Sequence, residues 1–360
     1  MADTVAEQIA ALEDEDWAIR EEAATMLGAF RDPRAVAPLV AMLRDRDRAV
    51  RDAAIGALLA IGESAVIPLG DCLSDPVLTV QELASSVLAT IADARVLTPL
   101  MAALSSPDWI VRMHAAKGLG RIQDPKAVGP LVPLLQDKVK AVREEASTAL
   151  AAIGEAALSS LLAALTHGEW LVRLHAVEAL GKTRSSEAVV PLLSVLFNDQ
   201  DRAVREDAVR ALGQIGVARA VEFLMTVMKE PGLRSLAIEA LGRIGDRRAV
   251  PVLINVLEDM DRPKTSQPIE GCGDHWNEDI IVLGVAAKAL GVIRDEAAIP
   301  SLIKALRSTM TRPDAADALT RFGNRVIAPL LTVLAQESDD NIRYHVKETL
   351  AKVGWRAGRI

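Results

Sequence analysis

Val111-Arg112-Met113-His114-Ala115-Ala116-Lys117-Gly118-Leu119-Gly120 decides the fold, because its outline returns along the chain about every 31 residues. The outline is an aliphatic-Arg pair, a small residue three positions after the Arg, and a Leu-Gly-like ending. It recurs from Ile19-Arg20 to Leu27-Gly28, Val50-Arg51 to Leu58, Val142-Arg143 to Leu150, Val172-Arg173 to Leu180-Gly181, Val204-Arg205 to Leu212-Gly213, Leu233-Arg234 to Leu241-Gly242 and Ile342-Arg343 to Leu350. A fixed period of this length marks one supersecondary unit that buries its apolar face only against its neighbours.

Two amphipathic patterns alternate between successive Arg positions. An outer helix reads like Ala35-Val36-Ala37-Pro38-Leu39-Val40-Ala41-Met42-Leu43, and an inner helix like Val50-Arg51-Asp52-Ala53-Ala54-Ile55-Gly56-Ala57-Leu58. Both carry apolar residues at i, i+3, i+4 and i+7. Asp-Pro or Gly-Asp turns such as Asp32-Pro33, Asp124-Pro125 and Gly245-Asp246 separate the units, and a second proline (Pro38, Pro68, Pro99, Pro130, Pro191, Pro251, Pro300, Pro329) is expected to kink each outer helix. Eleven helix pairs result, the third and ninth departing from the pattern.

An outer helix with proline, an Asp turn and an inner helix opening on Val-Arg resembles the HEAT repeat. The short unit with Leu-Gly-x-Ile-Gly endings is most similar to the HEAT-like repeats named after phycobilisome lyases. The resemblance implies an all-α fold, a right-handed α-α superhelix or HEAT-like α-solenoid of about eleven helix pairs, forming one solenoid over residues 1–360. It further implies that Arg20, Arg51, Arg112, Arg143, Arg173 and Arg205 form a structural ladder bridging neighbouring turns, with the acids four residues earlier (Asp16, Asp47, Asp108, Glu169, Asp201). An Asp there also suits the N-cap of the inner helix.

Composition narrows the class. Of 360 residues half are hydrophobic, only 3% are aromatic, and the formal charge is −8. Small aliphatic side chains suit closely packed helices. No apolar run approaches the about 18 residues of a membrane span, and the acidic stretch Met1–Asp16 is unlike a signal peptide, so the expectation is a cytoplasmic protein without a membrane segment. Cys72 and Cys272 are the two cysteines, which leaves no disulfide framework and no four-cysteine zinc site.

With the Arg as position zero, helical geometry places +1, +2, +5 and +9 on the open, concave side. Columns +1 and +2 are acidic in parts (Glu21, Glu22, Asp52, Glu82, Glu144, Glu145, Glu206, Asp207), and column +9 carries Arg121, Lys182, Arg243, Arg321 and Lys352. That acidic stripe disfavours nucleic acid, whose phosphates need a continuous basic track. Position −3 alternates Trp17, Arg48, then Trp109, Lys140, Trp170, Arg202. The indoles either seal the turn with a cation over each ring, or anchor a partner, as Trp does at binding hot spots. The two later Trp repeats also exchange acids for Met113, His114, Leu174 and His175, giving an apolar, titratable patch.

An insert of about 18 residues occupies 260–277 in the ninth pair, with Cys272, Asp274, His275 and Trp276 near its end. Long loops in compact arrays are often functional. Cys-x-x-His alone is a weak metal signal and no second ligand cluster accompanies it, so neither a metal nor another cofactor is assigned.

These observations point to a non-catalytic scaffold or adaptor, binding a partner protein through the concave face and a rim of Trp17, Trp109, Met113, His114, Trp170, Leu174, His175, Cys272, Asp274, His275 and Trp276. The alternative is a bilin-lyase-like or other cofactor-handling protein acting on a partner polypeptide. The His-Glu dipeptides that carry iron in deoxyhypusine hydroxylases of this fold are missing, because every histidine here is followed by Ala, Gly, Trp or Val. A monomer is favoured, since terminal repeats are expected to be polar caps, although the acidic start and basic end allow head-to-tail contact.

Overall fold

Several inner helices start on a capping carboxylate, and several stop on a left-handed residue. Asp16 accepts the Ala18 amide at 2.9 Å, Asp108 those of Ile110 and Val111 at 2.7 and 3.1 Å, and Asp339 those of Asn341 and Ile342 at 2.8 and 3.3 Å. These bonds satisfy amides that have no helical partner. At the other end Arg31, Gln123, Gly216 and Gly245 take φ values of 53°, 58°, 77° and 74°, and the next Asp caps a short 3-10 turn in three of these four repeats. The computed structural model describes residues 2–230, 232–258 and 275–355, and no strand occurs among the described residues.

Two compact units divide the chain, Met1–Thr183 and Arg184–Ile360. The first contains α1 (Ala2–Ala11), α2 (Trp17–Phe30), α3 (Val36–Met42), α4 (Arg48–Ile61), α5 (Val66–Cys72), α6 (Leu78–Ile91), α7 (Leu97–Ala103), α8 (Trp109–Ile122), α9 (Val128–Leu131), α10 (Lys140–Ile153), α11 (Glu155–Ala164) and α12 (Trp170–Thr183). The second contains α13 (Val189–Asn198), α14 (Arg202–Ile215), α15 (Val221–Val227), α16 (Arg234–Ile244), α17 (Val250–Glu258), α18 (His275–Ile293), α19 (Ile299–Ala305), α20 (Arg312–Thr320), α21 (Ile327–Gln336) and α22 (Asp340–Lys352). Odd-numbered helices are outer and even-numbered ones inner, so the described residues form eleven pairs.

Two expectations need correction. The second proline of each unit does not fall mid-helix: the outer helix opens with a 3-10 turn, and Pro38, Pro68 and Pro99 are each the third residue of the α-helical segment that follows. A first-turn proline removes no helical hydrogen bond, so no kink is required. The stretch Arg48–Cys72 is, by length and composition, apolar enough to cross a membrane, with a mean hydropathy of 1.7. It is broken at Gly62, whose φ is 74°, and its two arms α4 and α5 bury Val50, Ala54, Leu58, Val66 and Leu69 within the first unit.

Neighbouring inner helices touch through very small residues. A Cβ added to Gly28 would lie 2.8 Å from the Ala57 Cα, and one on Gly120 2.7 Å from the Ala149 Cα. The second unit repeats the arrangement for Gly213 on Ala240, Gly242 on Ala289 and Gly291 on Ala318, at 2.7 to 2.9 Å. The Leu-Gly ending is therefore a contact surface: position +8 of one repeat lies on position +6 of the next. Each preceding Leu, such as Leu27, Leu119 and Leu212, is fully buried, which stabilises the fold by roughly 1.5–3 kcal/mol per side chain.

Gly56, in the middle of α4, supplies the contrast, since nothing lies within 4 Å of its added Cβ. Gly120→Ala is expected to lower stability by about 1–3 kcal/mol through forced separation of α8 and α10. Gly56→Ala is expected to raise it by about 0.5–1 kcal/mol through helix propensity alone. Urea unfolding midpoints of the two variants should move in opposite directions.

Candidate functional site

The shared outline of the repeat resolves into a clamp on the turn between paired helices. The ladder guanidinium donates from Nη1 to the two carbonyl oxygens six and five residues before it: Arg20 to Asp14 and Glu15 (2.9 and 3.1 Å), Arg51 to Asp45 and Arg46 (2.7 and 3.0 Å), and Arg112 to Ser106 and Pro107 (2.8 and 3.0 Å). Arg143 and Arg173 do the same, to Asp137 and Lys138 and to His167 and Gly168. In the degenerate third repeat Gln81 donates to the Asp75 carbonyl at 2.6 Å. The Arg205 Nε–H is buried without an acceptor among the described residues.

The remaining edge of the fork crosses to the next repeat. Arg20 meets Asp45 in two bonds of 2.7 and 3.0 Å, and Arg112 meets Asp137 in two of 2.7 and 2.9 Å. The acids that take the fork are thus six residues before the next Arg; of the acids at −4, Asp16, Asp108 and Asp339 cap their helices, and Asp47 lies 3.6 Å from Arg20 of the preceding repeat. Asp45 and Asp137 can do this because each also accepts the amide two residues on, which turns the carboxylate toward the preceding repeat. At the second junction Arg44 pairs with Asp75 instead. The Arg20 hydrogen bond holds the Asp45 carboxyl below its ordinary pKa; for Asp137 burial pushes upward, and the Arg112 bond with the Val139 amide outweighs it. Two-bond charged pairs of this kind are among the stronger ones, and leaving one member unpaired costs about 3–5 kcal/mol when buried.

Once the clamp and the Gly-Ala contact are assigned, the open side of each inner helix is a ridge at −3, +1, +5 and +9, four residues apart. In the first unit it carries Trp17 and Glu21 on α2, Arg48 and Asp52 on α4, Trp109, Met113, Lys117 and Arg121 on α8, Lys140 and Glu144 on α10, and Trp170, Leu174, Glu178 and Lys182 on α12. Trp17, Trp109 and Trp170 are the first residues of their helices and are 46%, 40% and 41% exposed. None has a cation over its ring among the described residues. Arg48, Lys140 and Arg202 instead pair with Asp52, Glu144 and Glu206 on their own helices at 3.4, 3.3 and 2.8 Å. A partner one turn away on the same helix outcompetes a ring in the next repeat. The indoles are left half-exposed beside half-buried Met113 and Leu174.

Position +2 does not belong to the open side. It is rotated about 100° from +1 and faces the preceding inner helix. His114 Nδ1 lies 3.0 Å from Ser85 Oγ, and burial lowers the His114 pKa. His175 is only 4% exposed: Arg143 Nε donates to its Nε2 at 3.2 Å, and its Nδ1 is 3.0 Å from Glu178 Oε2. The acceptor role at Nε2 leaves Nδ1–H as the donor to Glu178. Lys182 completes the cluster, 2.8 Å from Glu178 and 2.9 Å from Thr148 Oγ1. His114 and His175 are thus junction residues, not partner-facing ones. Column +9 is similarly engaged, with Arg121 donating to the Ala89 and Thr90 carbonyls at 2.9 and 3.2 Å and Arg243 pairing with Glu239 at 2.8 Å.

Cys272 and Asp274 lie outside the described residues. His275 and Trp276 open α18, so the helix begins within the segment read as insert.

With this geometry, comparison with known proteins places the chain. The family described as HEAT repeats matches residues 5–89, 68–151, 97–168, 130–195, 158–232 and 275–351. The chain is a HEAT-repeat protein. Residues 233–259 match the PBS lyase HEAT-like repeat. No curated protein matches the sequence. Among solved structures, yeast importin-β (Kap95p) is 14% identical over 98% of this chain and 57% of its own, with a TM-score of 0.63. The karyopherin Kap121p bound to the extreme C-terminus of the protein phosphatase Cdc14p is 14% identical over 98% and 46%, with a TM-score of 0.64. The HEAT chain spans about half the length of these karyopherins, and at such identity the likeness is one of fold.

Glu178 gives the cluster a pH signature. Burial pushes its pKa up, but the hydrogen bonds from His175 and Lys182 outweigh that and hold it at about 2, against 4.5 ordinarily. A depressed carboxylate contributes stability that is complete above its unfolded pKa and is lost as pH falls through the folded one. Between pH 4.5 and about 2 the native protein should therefore lose more stability than Glu178→Gln, in acid titrations followed by circular dichroism.

Proposed function

We propose that this HEAT-repeat protein is a non-catalytic scaffold or adaptor whose first unit binds a partner protein along the open ridge of its inner helices. The observation that carries this is the trio of half-exposed indoles, Trp17, Trp109 and Trp170, each at the first position of an inner helix and none covered by a cation among the described residues. Met113 and Leu174, one turn further on, extend two of them into apolar strips. Large aromatic side chains with an apolar neighbour and a charged surround are the composition of a binding hot spot.

The likeness to a karyopherin that holds the end of another polypeptide supports a protein as the ligand. Glu21, Asp52, Glu82 and Glu144 along the ridge, with the bases Arg121 and Lys182 already engaged in intramolecular bonds, argue against nucleic acid. A cytoplasmic location belongs to the same reading, supported by sparse cysteine.

Immobilised protein exposed to extract of its native host, with the retained polypeptides identified by mass spectrometry, tests the assignment. Trp109→Ala/Trp170→Ala should weaken capture about thirtyfold, equivalent to about 2 kcal/mol, at an unchanged unfolding midpoint. Phe223→Ala, a comparably exposed aromatic on outer helix α15, should leave capture intact. Equal retention by the Trp variant and the native chain would refute the site. A visible absorption band in the purified protein would favour cofactor handling instead.

A further inference from the structure

The junction of α10 with α12 is locked by different chemistry from its neighbours in the first unit. Where α2 meets α4 and α8 meets α10, the ladder Arg closes on the carboxylate at −6 of the next repeat, Asp45 or Asp137, which also accepts the amide two residues on. Arg143 meets no such acid, because −6 of the repeat that follows it is His167. Two histidines divide the work instead: His167 Nδ1 accepts the Glu169 amide at 3.1 Å, and His175 Nε2 accepts from Arg143 Nε at 3.2 Å. A carboxylate accepts throughout the neutral pH range, whereas an imidazole nitrogen accepts only while it holds no proton.

The groups around His175 decide what proton uptake does. Arg143 cannot withdraw, since its Nη1 is tied to the Asp137 and Lys138 carbonyls at 2.6 and 3.3 Å. A proton on Nε2 therefore sets donor against donor and cation against cation in a buried contact. Glu178 acts the other way: its Oε2, 3.0 Å from Nδ1, attracts a charge on the ring. Behind these stand Lys182, 2.8 Å from Glu178, and half-buried Glu145 on α10, which makes no hydrogen bond or ion pair among the described residues. From α11 the buried residues are Ala157, Leu158, Leu161 and Ala164, and its one charge, Glu155, is exposed.

The junction bears directly on the ridge. Trp170 and Leu174 ride on α12, and α10 alone separates them from Trp109 and Met113 on α8. Whatever loosens α12 from α10 changes the distance between the two apolar strips.

We propose that the junction of α10 with α12 is a proton-operated lock: a proton taken up on His175 Nε2 breaks the bond from Arg143, loosens α12 against α10 and disturbs the spacing of the Trp strips. His167 adds to it, because a protonated Nδ1 no longer accepts the Glu169 amide that shapes the turn into α12. The lock stands on the junction geometry alone, and its effect on partner binding rests on the ridge reading given above.

Hydrogen exchange of the full chain, read by mass spectrometry and corrected for the intrinsic pH dependence of exchange, tests the lock without any partner. From about pH 8 to about pH 5.5, where imidazoles ordinarily titrate, protection of α12 should fall about tenfold or more, as expected for losing a hydrogen bond to a charged group, while that of α4 should hold. His175→Gln keeps an acceptor for Arg143 and a donor for Glu178 at every pH and should remove most of the fall. His167→Asp, which restores the acid at −6, should do the same. Level protection of α12 in the native chain, or an equal fall in His175→Gln, overturns the proposal. Capture of host polypeptides should drop with pH more steeply for the native chain than for His175→Gln, and parallel curves overturn the link to binding. Capture indifferent to Trp109→Ala/Trp170→Ala, with the exchange response intact, refutes the ridge and leaves the lock standing.

Discussion

The close approach of a glycine to the alanine of the next repeat, locked by the arginine fork beside it, is the constraint on which the rest of this structure depends. With Gly120 against Ala149 there is no room for a Cβ, and with Arg112 on Asp137 there is no freedom to slide. The guanidinium serves two tasks at once. One nitrogen satisfies carbonyls of the turn that leads into its own helix, and the other edge fixes the neighbouring turn. A lysine offers a point charge and cannot form that fork. Once the junction is fixed, positions −3 and +1 of the ridge are free to differ between repeats, whereas +5 and +9 are partly drawn into bonds with the preceding repeat, as Arg121 and Lys182 are.

How far this was legible depends on what the repeat displays. Helix pairs, their number and the HEAT character follow from the period, because every copy must bury the same face. Of the acids at −4 only Asp47 reaches across to the Arg of the preceding repeat, while Asp16 and Asp108 cap their helices; Asp45 and Asp137 reach their Arg through a turn that sequence spacing does not reveal. Aligning the copies on the Arg does expose a recurrent Asp at −6 (Asp14, Asp45, Asp75, Asp137, Asp199), which is the signal that finds it.

Other parts resisted because they depend on neighbours. A helical wheel cannot tell an open face from one that meets the previous repeat, so His114 and His175 read as surface residues while Ser85, Arg143 and Glu178 in fact surround them. The same blindness hid the engagement of Arg121 with the end of α6. Of the two readings of the Trp-cation alternation at −3, a cation over each indole fails because each cation has an acid one turn on along its own helix. What survives as a candidate site is the part not consumed by any junction: Trp17, Trp109, Met113, Trp170 and Leu174.

Junction and ridge divide the labour of this chain, one holding the repeats together and the other meeting the partner. A saturation scan of residues 1–183, scored once for folded abundance and once for partner capture per folded molecule, tests that division most directly. Substitutions at Arg112, Gly120, Asp137 and Ala149 should lower abundance, and those at Trp109, Met113, Trp170 and Leu174 should lower capture at unchanged abundance. Capture that depends on the junction residues and ignores the ridge would contradict it.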